Sequence, residues 1–409
     1  MGALFSMAFR NVLRNKRRTA ITVAALVVGV TAVTTIRGIL NGLQDAIIRG
    51  TTRGTIGALQ VHRAGYLANV LSTPLSLDFP WDEALVTKVK GIKGVTAVAP
   101  RIQFAGSLTL SATADDDSPE ALFFAATAVD PKLEPTVCPE REKLFTEGTV
   151  LDDTHVVLGD ALARAFGAKQ NDEAILLAPD REGSLNGELA NIGGAMRAIM
   201  PGEMKIAVVP LPLAQKLLRM EGRVTELAVA VDDVKQVDAI ADRVQAALGP
   251  EFEVHTWREL VPERRTIMLL QDAVSAIVSV VFVLLMLLGV ANTMLMSVLE
   301  RTREVGTMMA VGLTRGSVMI LFLLEAMVLG VIGAAGGFAV ASALTAALAR
   351  KGVPFTPPSA TMSIEVYPFM TPVFTGAILV LAMVGAVIFS LYPAWRASRL
   401  RPVEALAGR

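Results

Sequence analysis

Four long apolar runs, with a single charged residue among them, limit what this chain can fold into more than any other feature. They cover residues 19–36, 273–299, 316–349 and 366–395, and Glu325 is the only charged residue inside them. A helix needs about 20 apolar residues to cross a hydrocarbon core of about 30 Å. A soluble core can supply one such run by chance, but hardly four. The sequence therefore predicts an α-helical membrane protein with transmembrane helices at 19–40, 271–299, 316–349 and 368–394.

The basic residues predict the orientation of these helices. They cluster before the first run, between the second and third, and after the last: Arg10, Arg14, Lys16, Arg17, Arg18, Arg301, Arg303, Arg315, Arg396, Arg399 and Arg401. Lys and Arg are enriched in cytoplasmic loops, so four crossings place both termini in the cytoplasm. Only Arg350 and Lys351 oppose this orientation. We expect a multi-pass protein of the bacterial inner membrane whose first run is an uncleaved span rather than a signal peptide.

The region 41–270 predicts a large α+β periplasmic domain inserted between helices 1 and 2. Strand and helix patterns near both of its ends favour one mixed α/β part, built from residues 41–135 and 221–265. Between them, 136–220 is expected to form an inserted β-rich subdomain, in which 179–202 shows no clear periodicity and is predicted to be a mobile loop. The remaining segments are an interfacial elbow helix at 1–18, a cytoplasmic loop at 300–315, a periplasmic loop at 350–367 and a cytoplasmic tail at 395–409.

No pattern of catalytic or metal-binding residues is present. The three histidines, His62, His155 and His255, lack metal-ligand spacing, and Cys138 is the only cysteine. The phosphate-binding motif G-x-x-x-x-G-K-[ST] does not occur, so any nucleotide energy must come from another polypeptide. The formal net charge is zero and no basic surface for nucleic acid is evident. We expect neither an enzyme nor a bound metal or cofactor.

Two features inside the third run carry separate hypotheses. Glu325 lies about nine residues into the run, roughly 13 Å along a helix, where a carboxylate is costly. It is interpreted as an ion or hydrogen-bond partner of the first span or the elbow helix, in preference to a polar relay. Gly330, Gly333 and Gly337 predict close helix packing. The spacing leaves open whether the partner helix belongs to this chain or to a second copy.

Several motifs resemble a known superfamily. They lie at residues 10–19, 292–312, 324–326 with 330–337, and 392–406. These segments are similar to the permeases of the macrolide-exporter and lipoprotein-releasing superfamily, which includes MacB, LolC, LolE and FtsX. Residues 178–187 and 210–218 look closest to the lipoprotein-releasing type.

This resemblance implies the permease subunit of an ABC transporter. ATP and Mg²⁺ would bind a separate cytoplasmic ATPase subunit, and the permease would pair with a second copy or a paralogue. The loop between helices 2 and 3 would contact the ATPase through Glu300, Arg301, Arg303, Glu304, Gly306 and Gly312. ATP-driven movements would then reach the periplasmic domain through the helices, a mode called mechanotransmission.

The cargo stays open among three alternatives. The first is extraction of lipoproteins or other amphipathic molecules from the outer leaflet for a periplasmic carrier. The second is a MacB-like efflux pump for drugs or peptides that works through an adaptor. The third is an FtsX-like regulator of periplasmic cell-wall hydrolases.

Overall fold

The computed structural model describes residues 2–110, 121–198, 205–357 and 362–399. The chain divides into two compact units. The membrane unit comprises Met1–Gln44, Ile267–Val353 and Val366–Arg409, and the sheet unit comprises Asp45–Thr266 and Pro354–Glu365.

The described helices are numbered in chain order. They are α1 (Gly2–Arg14), α2 (Lys16–Arg49), α3 (Glu83–Lys90), α4 (Glu134–Val137), α5 (Asp160–Phe166), α6 (Leu211–Leu218), α7 (Val237–Leu248), α8 (Trp257–Leu260), α9 (Pro262–Glu300), α10 (Thr302–Ala310), α11 (Arg315–Lys351), α12 (Pro372–Phe389) and α13 (Leu391–Ser398). A π-helix, Gly50–Thr55, continues α2.

The strands are numbered in the same way. They are β1 (Leu59–Arg63), β2 (Phe79–Pro80), β3 (Val95–Leu110), β4 (Leu122–Val129), β5 (His155–Gly159), β6 (Glu173–Pro179), β7 (Leu185–Met196), β8 (Ile206–Pro210), β9 (Arg223–Val224), β10 (Glu226–Val231), β11 (Phe252–Thr256), β12 (Val353–Phe355) and β13 (Ile364–Val366).

Four of the described helical segments are long and apolar enough to cross a membrane. They are Lys16–Thr55, Thr266–Glu300, Arg315–Lys351 and Pro372–Ser398. The first two extend well beyond the predicted 19–40 and 271–299, because helical hydrogen bonding continues through polar sequence once the apolar part has formed a helix. The last divides into α12 and α13 at Ser390, and Pro393 lies in the first turn of α13, where its missing N–H costs little.

The glycines of α11 pack against helices of the same chain. A Cβ built on Gly333 would lie 2.4 Å from Cβ of Leu26, and one on Gly337 would lie 2.6 Å from Cβ of Val30. Both partners belong to α2. Gly330 faces Met383 and Ala386 of α12 in the same way. The small residues therefore bring neighbouring helix backbones of the membrane unit together, which answers the open question about their partner.

The sheet unit begins with four antiparallel strands in the order β11-β1-β10-β3. On this sheet, Val137 and Cys138 at the end of α4 pack on Ala97, Ala99 and Ala228. The helix α7 packs against β11, and α3 packs against β3. These elements correspond to the mixed α/β part predicted for 41–135 and 221–265.

The prediction of a separate β-rich subdomain at 136–220 needs correction. Strands β5 to β8 are joined to β3 and β4 in one sheet, with the order β3-β4-β8-β5-β7-β6. Because β6 also pairs with β3, through Ser107↔Leu177 to Leu110↔Ala174, these strands close into a ring. At Gly106, a Cβ would lie 2.5 Å from the carbonyl oxygen of Leu177, so only glycine fits this crossing.

The predicted mobile loop at 179–202 is wrong over most of its length. Residues Leu185–Met196 form strand β7, which pairs with β6 on one side and β5 on the other. Only residues 180–184 form the turn between β6 and β7, and Asp180 accepts hydrogen bonds from the backbone N–H groups of Glu182 and Ser184. Residues 199–202 of this prediction lie outside the described residues.

Candidate functional site

The segment predicted as a cytoplasmic loop at 300–315 is largely helical. Helix α9 ends at Glu300, and α10 begins at Thr302. Arg301, between them, leaves the helical conformation, with φ of −106° and ψ of 18°. Gly312 adopts φ of +106°, which an L side chain rarely adopts, and so lets the chain turn from α10 toward α11. The segment is a short helix held between two candidate spans.

Arg301 is the centre of a buried polar contact. Only 6% of its surface is exposed, and its guanidinium lies over the ring of Phe322. Nη1 donates to Oε1 of Glu325 over 2.9 Å, and Nε donates to Glu304 over 2.9 Å. Burial opposes the charged form, but the charges and hydrogen bonds of Glu325 and Glu304 together outweigh burial and raise the pKa of Arg301. Arg301 was predicted to contact an ATPase, yet its side chain is turned into the protein.

Glu325 joins three elements. Besides Arg301, the side-chain amide of Asn11 on α1 donates to the same carboxylate oxygen over 2.7 Å. The expected pairing with the elbow helix is therefore present, whereas the pairing with Arg301 was missed. Nothing in the linear spacing of Arg301 and Glu325 identifies them as partners, since α9, α10 and α11 must first fold together.

Two further ion pairs lie at the surface of the same region. Arg14 contacts Glu304 at 2.5 Å, and Arg18 contacts Glu300 at 3.2 Å. Burial opposes ionisation of Glu304, but hydrogen bonds from Arg14 and Arg301 hold the pKa of its carboxyl below its ordinary value. Because Arg14, Glu304 and Glu300 are about half exposed, each surface pair contributes only about 0–1 kcal/mol. The Arg14–Glu304 pair links α10 to α1, and the Arg18–Glu300 pair links α9 to α2.

Helix α10 has one anchored face and one exposed face. Val305 and Gly306 are buried. Arg303, Thr307, Ala310 and Val311 are exposed and recur at the spacing of a single helical face. Val311 is 84% exposed, and Arg303 has no ion pair within the part of the chain that the structure describes. This arrangement presents a cation and an apolar side chain outward on a held helix.

The described residues contain no metal site: no group of three His, Cys, Asp or Glu side chains lies close enough to hold an ion. His62 is buried and stacks on Tyr66 with ring centroids 4.3 Å apart. Burial lowers the pKa of His62, so the ring is neutral and serves packing.

The fold and this site define a class of protein. Four candidate membrane helices, a large α/β domain between the first and second, and an anchored helix between the second and third are the parts of a membrane permease.

Two family models match the chain and agree with this class. The MacB-like periplasmic core domain matches residues 19–247, and the FtsX-like permease C-terminal domain matches residues 276–402. The chain belongs to this family of MacB-like and FtsX-like permeases. The resemblance to the superfamily is thereby confirmed, while the closer likeness to lipoprotein-releasing permeases stays a prediction.

Several named proteins are similar to this chain. The macrolide export ATP-binding/permease protein MacB of Nitrobacter winogradskyi is 26% identical over 98% of this chain and 59% of its own length. MacB of Rhodospirillum rubrum is 27% identical over 99% of this chain and 60% of its own length. The chain thus spans about 60% of the length of these relatives. The crystal structure of the periplasmic region of MacB from Actinobacillus actinomycetemcomitans is 11% identical with a TM-score of 0.36, and the match covers 55% of this chain and 97% of that one.

Proposed function

We propose that this chain is the permease part of an ATP-driven ABC transporter that acts by mechanotransmission. The observation that carries the proposal is the anchored helix α10, which presents Arg303 and Val311 outward between two candidate membrane helices. A partner that pushes on this helix acts directly on α9 and α11. Family membership supports the same role.

In this proposal the outer face of α10 contacts a cytoplasmic ATPase. Arg303 and Val311 supply a cation and an apolar side chain. Glu304 and Glu300, which are half exposed and paired with Arg14 and Arg18, flank them. Arg301 takes a different role from the one expected, because it holds the helix against α11 through Glu325. Gly306 is buried and does not face outward. Gly312 provides the turn. ATP and Mg²⁺ bind the ATPase, and this chain receives the resulting movement.

The movement needs no hydrophilic path through the membrane unit. Glu325 is the only charged residue within the four uncharged runs, and it is occupied by Arg301 and Asn11. A proton or solute relay requires more than one such group. ATP instead biases two conformations of the permease, which works as a pair with a second copy or a paralogue. Both termini lie in the cytoplasm and the sheet unit lies in the periplasm of a bacterial inner membrane.

The proposed cargo is an amphipathic molecule taken up on the periplasmic side. Relatives named as macrolide export proteins favour efflux of drugs or peptides through an adaptor. Extraction of lipoproteins for a periplasmic carrier is the second candidate, and it rests on the segments 178–187 and 210–218. Control of a cell-wall hydrolase is the third.

Affinity purification of the tagged chain from native membranes, followed by mass spectrometry, tests these alternatives. A co-purifying ATPase with an adaptor supports efflux. The same ATPase with a lipoprotein or its carrier moves the assignment to extraction, and a hydrolase moves it to regulation. If no ATPase is recovered under conditions that preserve other membrane complexes, the transporter proposal fails.

Reversing the charge at Arg303 tests the contact surface. Arg303→Glu should weaken recovery of the ATPase about tenfold or more. The reversed charge would repel an acidic group of the ATPase that faces Arg303, or would be buried in the interface without a partner. Glu300→Lys should act in the same direction. Arg10→Glu is the matched control, since Arg10 is an exposed cytoplasmic arginine outside this face. Equal recovery of the ATPase with all three variants would remove α10 from the interface.

A further inference from the structure

The end of the first long helix has an unusual backbone. Gly50–Thr55 forms a π-helix, a conformation that is rare and concentrated at functional sites. The hydroxyls of Thr51 and Thr52 donate to the carbonyl oxygens of Ile47 and Ile48 over 2.7 and 2.8 Å. Such hydrogen bonds back to the preceding turn bend a helix. The stretch continues α2 within the sheet unit, and the end of α2 is used below to include it.

The carbonyl groups that follow are held by the domain. Nη1 of Arg101 donates to the carbonyl oxygen of Ile56 over 3.1 Å, and Nη2 of Arg141 donates to that of Thr55. The backbone N–H of Glu140 donates to the carbonyl oxygen of Arg53 over 2.9 Å. The last carbonyls of a helix have no partner within the helix and carry partial negative charge, so arginine is well suited to cap them.

The capping arginines belong to a buried ion cluster. Glu134 lies 2.6 Å from Arg101 and 3.0 Å from Arg141, and Glu226 lies 3.1 Å from Arg101. All four residues are buried, and Arg101 is fully so. Burial favours the neutral acid at Glu134, but Arg101 and Arg141 hold the pKa of its carboxyl below its ordinary value. Two cations thus face two anions away from water. Well-packed apolar residues are often at least as stable as such a cluster, so stability alone is a weak reason for it.

Arg101 also occupies a particular place in the sheet. It pairs with Glu226 of β10 on one edge of β3 and with Val129 of β4 on the other. From Val95 to Arg101, β3 belongs to the four-stranded sheet, and from Ser107 to Leu110 it pairs with β6 in the closed ring. The residue that caps the helix end therefore lies where the shared strand passes from one sheet into the other.

The beginning of α9 reaches the same helix end. The guanidinium of Arg264 donates to the hydroxyl of Thr51. Both long helices that lead into the sheet unit are thus tied to the π-helix.

We propose that Arg101, Glu134 and Arg141 form a clamp that fixes the end of α2 to strand β3 at the junction of the four-stranded sheet and the ring, so that a displacement of α2 moves one of these two parts relative to the other. These are positioning residues, and the inference rests on the proposed mechanotransmission.

The test uses the complex with its co-purified ATPase in lipid nanodiscs. Spin labels at Ala239→Cys on α7 and Leu185→Cys on β7 report the distance between the two parts of the sheet unit, since both positions are exposed. The thiol of Cys138 is buried and its pKa is raised by burial, so it stays unlabelled. The distance distribution is measured without nucleotide and with ATP and vanadate.

Arg141→Gln should abolish the ATP-dependent change in distance while ATP hydrolysis continues. Arg223→Gln is the matched control, because it breaks an ion pair with the buried Asp78 elsewhere in the sheet unit and leaves the helix end untouched. Arg141→Lys controls for misfolding, because it keeps a positive charge beside Glu134. A single ammonium group lacks the forked geometry of the guanidinium and does not also reach the carbonyl oxygen of Thr55. It should therefore reduce the change.

The outcomes distinguish failure of the clamp from failure of the proposed mechanotransmission. An unaltered distance change in both Arg141 variants overturns the clamp and leaves the proposed function standing. A wild-type complex that hydrolyses ATP without any change in distance overturns mechanotransmission itself, and the clamp with it. Equal loss in Arg141→Gln and Arg223→Gln assigns the effect to general stability and also overturns the clamp.

Discussion

Glu325 shows how a single charged side chain is accommodated in an apolar helix. It is 2% exposed, and Arg301 and Asn11 donate to the same carboxylate oxygen. Removing one partner of a buried ion pair leaves an uncompensated charge, which costs about 3–5 kcal/mol in soluble proteins. An exposed pair such as Arg18 with Glu300 contributes far less. Substitution of Arg301 should therefore cost much more stability than substitution of Arg18.

Arg301→Gln should lower the thermal stability of the purified chain in detergent. The double variant Arg301→Gln with Glu325→Gln should recover part of the loss, because no buried charge is left unpaired. Arg18→Gln is the control and should leave the apparent Tm nearly unchanged. A double variant no more stable than Arg301→Gln would contradict this account of Glu325.

At the scale of elements, α1 and α11 are each organised by face. In α1, Ala8 and Val12 are buried, whereas Phe5, Phe9 and Leu13 are exposed apolar residues at the same helical spacing. This division fits a helix in the membrane interface, with one apolar stripe toward the protein and another toward lipid. In α11, glycines lie where α2 approaches, and the absence of their side chains allows the two helices to pack closely.

Gly333→Leu should disrupt the membrane unit, since even its Cβ would lie 2.4 Å from Cβ of Leu26. We expect a destabilisation of about 1–3 kcal/mol or more, measured as a lower apparent Tm and less monodisperse protein after extraction. Gly376→Leu adds the same side chain in α12 where no atom lies within 4 Å of a Cβ. Similar behaviour of the two variants would show that the α2–α11 approach is not tight.

At the scale of the molecule, strand β3 unites the sheet unit. Its first half completes the four-stranded sheet and its last residues close the ring, so the two parts predicted as separate share a strand. Most of the sheet unit, Asp45–Thr266, comes from the part of the chain that joins the first and second candidate membrane helices, and Pro354–Glu365 comes from the part that joins the third and fourth. The proposed topology places this whole unit on the opposite side of the membrane from α1.

Cysteine labelling with a membrane-impermeant maleimide tests that topology. Leu185→Cys, at a position 70% exposed on β7, should react in intact spheroplasts. Ser6→Cys, on the polar face of α1, should react only after lysis. The wild-type chain, with only the buried Cys138, is the unlabelled control. Reaction of Ser6→Cys in intact spheroplasts would place the N-terminus outside.

Much of the architecture was predictable because local physics decides it. A bilayer leaves unpaired backbone groups no hydrogen-bond partners, so long apolar runs form helices. Strand β5 carries the continuous apolar run Val156, Val157 and Leu158, and α5 ends before Gly167, which adopts a positive φ, so local sequence marks both elements. Strand β7 was missed because its sequence, rich in Gly, Asn and Ala, has little intrinsic β preference and is held by β5 and β6 on its two sides.

The sequence by itself determined the four apolar helices, their expected orientation and the charged segment around Glu300 and Arg303, because composition and short-range periodicity suffice for each. Only the tertiary structure decided that Arg301 turns inward to Glu325, that β6 returns to β3 and that Arg101 caps the end of α2. Each of these joins residues distant in sequence, and their free energy depends on desolvation and geometry that exist only after the elements have packed.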